Sequence, residues 1–159
     1  MPPPLLFPVD ELDLSRDVLT KADIYQRLAH RFEFMMLDGI LHLDLPGKIA
    51  VAYHQVREDE WWVRGHIPGM PLMPGVLMIE AAAQMSSVYC SLALEHERFV
   101  VFGGVDRVKF REAVTPPARL ILLGKMLEVR PRRTVSLFQG LVEGRIVVEG
   151  KITGLPLRE

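Results

Sequence analysis

The chain has 159 residues, the length of a single domain, and 49% of them are hydrophobic. Such a composition can build a core and excludes an intrinsically disordered protein. The 19 basic and 20 acidic residues give a net charge of −1, so bulk attraction to nucleic acid or to an anionic membrane is not expected. One cysteine, Cys90, cannot form a disulfide within the chain, which is typical of a reducing compartment, and we expect a cytoplasmic protein.

Residues 1–19 read as an N-terminal arm, because prolines at positions 2, 3, 4 and 8 oppose regular structure. The arm lacks a basic N-terminal region and prolines interrupt its apolar run, so we do not expect a signal peptide. Thr20 and Asp23 are spaced as in a helix cap, which predicts a short helix over about 21–29. One folded domain is expected over 20–159.

Two strands are predicted next, over 35–45 and 48–56, with a Pro-Gly turn between them and a resumption near Trp61. Three prolines, spaced three residues apart, then alternate with glycines over 64–75, and neither a helix nor a central strand can continue through such a segment. We therefore predict a constrained loop. Its last proline, Pro74, is expected in the first turn of the helix that follows.

The residues from Gly75 to Leu94 are nearly all apolar or small, and their number would suit a membrane span. The stretch also contains Glu80, Gln84 and three serines, so a buried core helix is favoured over a transmembrane one. Strands rich in Val, Leu, Ile and Phe follow over 99–110, 119–129, 134–142 and 145–153. This order predicts an α+β fold in which an antiparallel sheet of about six strands wraps around one long central helix.

The polar residues of this helix are spaced to share one face, and they are Glu80, Gln84, Ser87 and Ser91. Either this face is exposed or it lies in a pocket. A solvent face of this length normally carries several charges, whereas Glu80 is the only charged residue in the helix, which favours the pocket. We expect burial to raise the pKa of Glu80 and to keep it protonated, with Gln84 hydrogen-bonded to it, as a general acid requires.

His66 lies in the constrained loop, directly before the helix that carries Glu80. A histidine alone is more often structural, but this position favours a catalytic base, since an imidazole titrates near about pH 6.5. The other four histidines lack such a setting, and with their spacing and one cysteine we expect no metal site. The sequence has no Gly-x-Ser-x-Gly motif and no phosphate-binding loop, and we expect no cofactor.

Gly75 and Val76 stand in the first turn of the helix, where amide N–H groups lack helical partners and the helix dipole is positive. Such amides stabilise an oxyanion or an enolate, and glycine allows a carbonyl group to approach closely. The segment 66–80 thus supplies a base, an acid and an oxyanion site. This set suits proton abstraction next to a carbonyl.

Three segments together carry a resemblance to a known family: 65–81, GHIPGMPLMPGVLMIEA; 30–38, HRFEFMMLD; and 102–111, FGGVDRVKFR. They resemble the signature of the (3R)-hydroxyacyl-acyl-carrier-protein dehydratases of fatty-acid synthesis, which have the hotdog fold. The resemblance extends over about 21–153 and leaves the N-terminal arm uncovered. It implies that (3R)-3-hydroxyacyl thioesters on acyl carrier protein are dehydrated to trans-2-enoyl thioesters.

By that resemblance His66 is the catalytic histidine and Glu80 the catalytic carboxylate, contributed by different protomers of a homodimer. The amide of Gly75, beside Val76, would bind the thioester carbonyl, and Gln84 would support the carboxylate. Glutamate at position 80 is closer to the plain dehydratase than to the related dehydratase/isomerase. The family often forms a trimer of dimers. An acidic carrier protein implies a basic docking patch, either Arg107, Lys109 and Arg111 or Arg130, Arg132 and Arg133.

The sequence departs from the family pattern at three places. Ile67 stands where the family usually has phenylalanine, Glu33 where it has proline, and 117–118 is Pro-Ala where Gly-Asp is frequent. None of these changes removes a catalytic group, although Ile67 and Glu33 are expected to affect the acyl tunnel and its mouth. Two other classes stay open: another hotdog enzyme, such as a thioesterase or an enoyl-CoA hydratase, and a non-catalytic acyl-binding subunit.

Overall fold

The chain runs through strands, one long helix and then strands again, as predicted. The computed structural model describes residues 1–95 and 99–157. Within them the elements are β1 (Leu19–Thr20), α1 (Lys21–Arg27), a 3-10 turn (Phe32–Phe34), β2 (Gly39–Asp44), β3 (Ile49–Val56), α2 (Gly75–Ala93), β4 (Val100–Phe110), β5 (Ala118–Arg130), β6 (Arg133–Val142) and β7 (Arg145–Pro156). The strands of these residues form one antiparallel sheet in the order β1-β2-β3-β5-β6-β7-β4, so the described sheet has seven strands rather than about six.

Helix α2 is the central helix of this fold. It contacts β3, β5, β6 and β7, and its Ala81, Ala82, Met85 and Val88 are fully buried. By length and composition α2 could cross a membrane, but its packing against the sheet makes it a core helix, as predicted. It begins at Gly75, so Pro74 is its N-cap residue and does not belong to its first turn.

Helix α1 begins as the sequence predicts. The Thr20 hydroxyl accepts a hydrogen bond from the Asp23 amide (3.3 Å), and the Asp23 carboxylate accepts one from the Thr20 amide (2.8 Å), which makes a capping box. The helix ends at Arg27 instead of near residue 29, because the backbone of Leu28 is already extended.

Two of the predicted strand boundaries are wrong. The first strand begins at Gly39, not near Met35, because the amides of Met36 and Leu37 donate to side chains instead of to a neighbouring strand. No strand resumes at Trp61 within the described residues. The chain there folds into tight turns, in which the amides of Gly65 and His66 donate to the Trp62 carbonyl.

The N-terminal arm covers the face of the sheet that α2 does not. Its apolar side chains pack on a second buried cluster formed by Leu41, Val51, Leu123, Leu141 and Ile146; those of the arm are Leu6, Phe7, Val9, Leu12 and Leu14. The buried amide of Gln139 anchors the arm, accepting from the Leu6 amide (2.9 Å) and donating to the Pro4 carbonyl (3.0 Å). The arm is therefore an integral layer of the fold.

His54, on β3, is buried between two carboxylates. Its Nδ1 lies 3.4 Å from Oδ2 of Asp38, and its Nε2 lies 2.9 Å from Oε1 of Glu60. Burial by itself raises the pKa of Asp38, but the His54 ring, the Gln55 amide and the Arg57 guanidinium outweigh it and lower that pKa to about 2. Asp38 is thus held ionised at the start of β2.

This depressed pKa predicts an acid-sensitive contribution to stability. The folded pKa of Asp38 lies below its ordinary value of 3.8, so the ionised group stabilises the fold above about pH 4, and the contribution is lost as the pH falls towards about 2. The difference in free energy of unfolding between the wild type and Asp38→Asn should shrink by about 1–2 kcal/mol between pH 6 and pH 2.5. Urea unfolding at several pH values measures it, with the exposed Asp10→Asn as control. A pH-independent difference would contradict the assignment.

Candidate active site

Glu80 lies on α2, on the polar face that the sequence singles out. Its side chain is 19% exposed, and Oε1 accepts a hydrogen bond from Nε2 of Gln84, one turn later, at 2.8 Å. Glu80, Gln84 and Ser87 line a cavity of about 210 Å³ between α2 and the strands β4, β6 and β7. The prediction that this polar face lies in a pocket is therefore confirmed, and the alternative of a solvent-exposed face is wrong.

Gln84 is the most connected side chain of the site and is 1% exposed. Besides Glu80, its Nε2 donates to the Phe34 carbonyl (2.8 Å), and its Oε1 accepts from the Tyr25 hydroxyl (2.7 Å) and the Met36 amide (3.2 Å). Burial raises the pKa of Tyr25, which keeps the hydroxyl protonated as a donor. One amide group thus fixes the Glu80 carboxylate and ties the segment before β2 to the central helix.

Replacing Gln84 with alanine is expected to lower the free energy of unfolding by about 2–4 kcal/mol, because the Met36 amide and the Phe34 carbonyl lose a buried partner. Denaturant unfolding followed by circular dichroism measures the loss. Ser87→Ala, on the same face of α2, is the matched control and should change stability by less than about 0.5 kcal/mol. Equal effects of the two substitutions would show that the Gln84 hydrogen bonds do not stabilise the fold.

His30 is a site residue that the sequence analysis set aside. Its Nε2 lies 3.2 Å from Oε1 of Glu80, and it lines the same cavity. This contact, helped by Gln84 and opposed by burial, lowers the pKa of Glu80. The prediction that burial raises this pKa is therefore wrong: the neighbouring imidazole outweighs desolvation. The sequence does offer one signal for His30, since it is the first residue of one of the three segments that carry the family resemblance.

His66 is exposed in the loop before α2. Its Nδ1 lies 2.7 Å from the carbonyl oxygen of Leu72. A carbonyl oxygen only accepts hydrogen bonds, so Nδ1 carries the hydrogen of the neutral ring and Nε2 keeps the lone pair. The loop thus presents the nitrogen that a base requires.

Gly75 opens α2, and its position tolerates no larger residue without movement. A Cβ at this residue would lie 2.5 Å from Cε1 of Phe110. Gly75 and the exposed Val76 line a second cavity of about 390 Å³. The first turn of α2 holds no acidic residue, so the positive end of the helix dipole lies beside this cavity. Glu112 also lines the cavity, but its carboxylate is paired with Arg145 at 3.0 Å.

A single chain does not bring these groups together. His30 and Glu80 line one cavity, Gly75 and Val76 line the other, and His66 lines neither of the two. Neither of these two cavities therefore contains both Glu80 and His66.

Among residues 1–95 and 99–157, no group of three or more His, Cys, Asp or Glu side chains is arranged to hold a metal ion. Burial raises the pKa of the Cys90 thiol to about 11, which makes it a poor nucleophile. His96, the fifth histidine, lies outside the described residues.

Solved structures of the same fold include a dehydratase and a thioesterase. The dehydratase heterocomplex ApeI:P from Xenorhabdus doucetiae superposes with a TM-score of 0.75 over 91% of this chain and 94% of that chain, at 15% identity. A hypothetical thioesterase from Streptococcus pneumoniae, solved with coenzyme A, gives 0.63 over 88% and 98%, at 13% identity. At such identities the likeness shows the fold alone, which is the predicted hotdog fold.

Sequence relatives are closer. A family model described as a FabA-like domain matches residues 28–152. The 3-hydroxyacyl-[acyl-carrier-protein] dehydratase FabZ of Chlamydia trachomatis is 35% identical over 142 residues, which cover 87% of this chain and 93% of the relative. The FabZ of Enterococcus faecalis is 38% identical over 136 residues, covering 85% and 96%. The chain therefore belongs to the FabA-like family of 3-hydroxyacyl-[acyl-carrier-protein] dehydratases.

Proposed function

We propose that this protein dehydrates (3R)-3-hydroxyacyl thioesters on acyl carrier protein to trans-2-enoyl thioesters in fatty-acid synthesis. The observation that carries the proposal is the Glu80 carboxylate at a cavity between α2 and the sheet, held by Gln84 at 2.8 Å and in contact with His30 at 3.2 Å. The names of the FabZ relatives support the same reaction.

In this reaction the substrate loses a proton from C2 and a hydroxyl from C3. Nε2 of His66 takes the C2 proton, because Nδ1 is bound to the Leu72 carbonyl. The Gly75 amide and the dipole of α2 stabilise the negative charge that develops on the thioester oxygen. The C2–H electrons form the double bond as the C3–O bond breaks.

The departing hydroxyl needs a proton to leave as water. Because His30 lowers the pKa of Glu80, this carboxyl group does not hold the required proton by itself. We assign this step to the Glu80–His30 pair, in which a proton on the imidazole can pass to the carboxylate and then to the hydroxyl. The proton on His66 is returned through solvent before the next turnover.

A second copy of the chain completes the site in this proposal. Strand β4 is the last strand of the sheet, and its Val101, Phe102 and Val105 are 41%, 46% and 40% exposed. An apolar edge strand of this kind fits an interface with another copy. The homodimer would place His66 of one protomer opposite Glu80 of the other, and assembly of three dimers remains a further prediction.

The proposed partner is the acyl carrier protein, and the proposed compartment is the cytoplasm. Arg107, Lys109 and Arg111 stand at alternate positions and would share one face of a regular strand. A bulge interrupts β4 there, since the register shifts between Asp106 and Lys109 and Arg107 has a φ of 53°. Arg111 is also paired with Glu149 at 2.8 Å. We therefore favour the arginines of the β5–β6 turn as the docking patch: Arg132, Arg133 and Arg130, whose exposed guanidinium lies 3.7 Å from Glu128.

The deciding assay supplies purified protein with (3R)-3-hydroxyacyl groups on acyl carrier protein, across a series of chain lengths. Dehydration should appear as a product lighter by one water, with no free thiol released. Release of the carrier thiol would show a thioesterase, and activity restricted to coenzyme A thioesters would show a hydratase. No reaction with any of these thioesters would leave an acyl-binding subunit.

Mixing two inactive variants tests the shared site. In a mixture of His66→Ala and Glu80→Gln chains, each mixed dimer has one site with both native residues, so about a quarter of the wild-type activity should return after subunit exchange. A mixture as inactive as its components would place both residues in one protomer's site.

A further inference from the structure

We infer that His54 is a positioning residue, whose imidazole clamps the loop carrying His66 to the segment that braces Glu80. The inference rests on the proposed function, because it assigns these two residues to the reaction. His54 itself is remote from the substrate: it is 4% exposed and belongs to the interior of β3.

The clamp is a buried set of three ionisable side chains. The side chains of His54, Asp38 and Glu60 are 6%, 11% and 13% exposed, and each ring nitrogen of His54 faces one carboxylate. Lys21 and Arg57 lie at the rim, 3.8 and 3.5 Å from Oδ1 of Asp38. Burying such a set carries a desolvation penalty that apolar residues at all three positions would avoid. We therefore attribute the presence of these three side chains to the way they hold the neighbouring segments in place.

On one side, the clamp controls the loop of His66. The Glu60 carboxylate contacts His54 and accepts from the Arg57 amide (3.3 Å), while the Glu60 carbonyl accepts from the Val63 amide (3.0 Å). The carbonyl of Trp62, the residue directly before Val63 and 2% exposed, accepts from the His66 amide (2.9 Å). These contacts, together with the peptide bond between Trp62 and Val63, connect His54 to the backbone of His66.

On the other side, the clamp reaches the support of Glu80. Asp38 accepts from the Gln55 amide at 2.6 Å and directly follows Leu37, whose amide donates to the Tyr25 hydroxyl. That hydroxyl in turn donates to Gln84, which holds Glu80. In the proposed dimer, His66 and Glu80 of one chain serve different active sites, so each clamp joins the halves of two sites.

Removing the His54 imidazole should make the loop that carries His66 more mobile, while the proposed catalytic residues themselves remain present. A misplacement of about 1 Å in a catalytic group can reduce turnover by about 100-fold. For His54→Gln and His54→Ala we expect kcat to fall by about 10–100-fold with KM changed by less than about two-fold. Hydrogen exchange of the amides in 57–66 should become faster by about ten-fold or more, with the rest of the sheet unchanged.

The test measures both readouts on the full-length protein, with His42→Ala on the neighbouring strand β2 as matched control. His54→Gln keeps a hydrogen-bond donor and serves if the alanine variant does not fold. Added imidazole should restore part of the kcat and the slow exchange to folded His54→Ala, since the truncation leaves a cavity lined by two carboxylates. Unchanged exchange in 57–66, equally faster exchange throughout the chain, or a failure of rescue would each overturn the inference. If the wild type shows no dehydratase activity, the proposed function fails, whereas exchange still decides whether His54 holds the loop.

Discussion

Substituting His66 with alanine is expected to reduce kcat by about 10²–10⁴-fold, the range that general acid–base catalysis contributes. The side chain is exposed and makes one hydrogen bond, to the Leu72 carbonyl, so the free energy of unfolding should change by less than about 1 kcal/mol. Steady-state dehydration rates and thermal unfolding measure the two quantities. Arg64→Ala, in the same exposed loop, is the matched control and should retain full stability.

A second substitution separates the two nitrogens of His66. In His66→Asn the amide NH₂ takes the place of Nδ1–H and can still donate to the Leu72 carbonyl, but nothing replaces Nε2. The asparagine variant should therefore keep the loop conformation and be as inactive as the alanine variant. Recovery of turnover in His66→Asn would make His66 a loop-positioning residue, and near-normal activity in His66→Ala would remove it from the mechanism.

Glu80→Gln is expected to cause a loss of similar size, about 10²–10⁴-fold in kcat. Glutamine has the shape of glutamate and can still accept from Gln84, so the cavity and the fold should be preserved. What it lacks is the carboxylate that contacts His30 at 3.2 Å and that, in the proposed mechanism, passes a proton to the substrate. Ser87→Ala, in the same cavity, is the control for a change in lining without a change in proton transfer.

Substrate binding distinguishes loss of chemistry from loss of the site. If Glu80 acts only in the reaction, Glu80→Gln should bind the acyl thioester with a KM or Kd close to the wild-type value. A variant that retains most of its turnover would show that another group protonates the hydroxyl. A variant that loses binding and stability together would make Glu80 a structural residue.

The central helix and its polar face could be predicted because both depend on local spacing. Glu80 and Gln84 are four residues apart in a helix, and their hydrogen bond follows from that geometry. The contact between His30 and Glu80 joins positions fifty residues apart and depends on how the segment before β2 folds onto α2. Because this tertiary contact was missing, the direction of the Glu80 pKa shift was predicted wrongly.

The remaining differences have the same origin. The start of β2 is displaced by hydrogen bonds to Gln84 and Tyr25, which no pattern of alternating residues reveals. The arm has apolar residues without a helical or strand period, so the sequence could not show which surface it covers. A buried carboxylate does require a cation or a donor nearby, but only the tertiary structure shows that His30 is this neighbour of Glu80.

The amide of Gln84 has a consequence for how this enzyme can change. The same side chain holds the Glu80 carboxylate and closes the buried hydrogen bonds of Tyr25, Phe34 and Met36. A substitution at position 84 is therefore expected to change both the position of the Glu80 carboxylate and the stability of the fold. A mutation at this position cannot change one of them without the other. Ala83 and Val100 line the same cavity but take no part in the hydrogen bonds of Gln84, so substitutions there can change the cavity without that loss of stability.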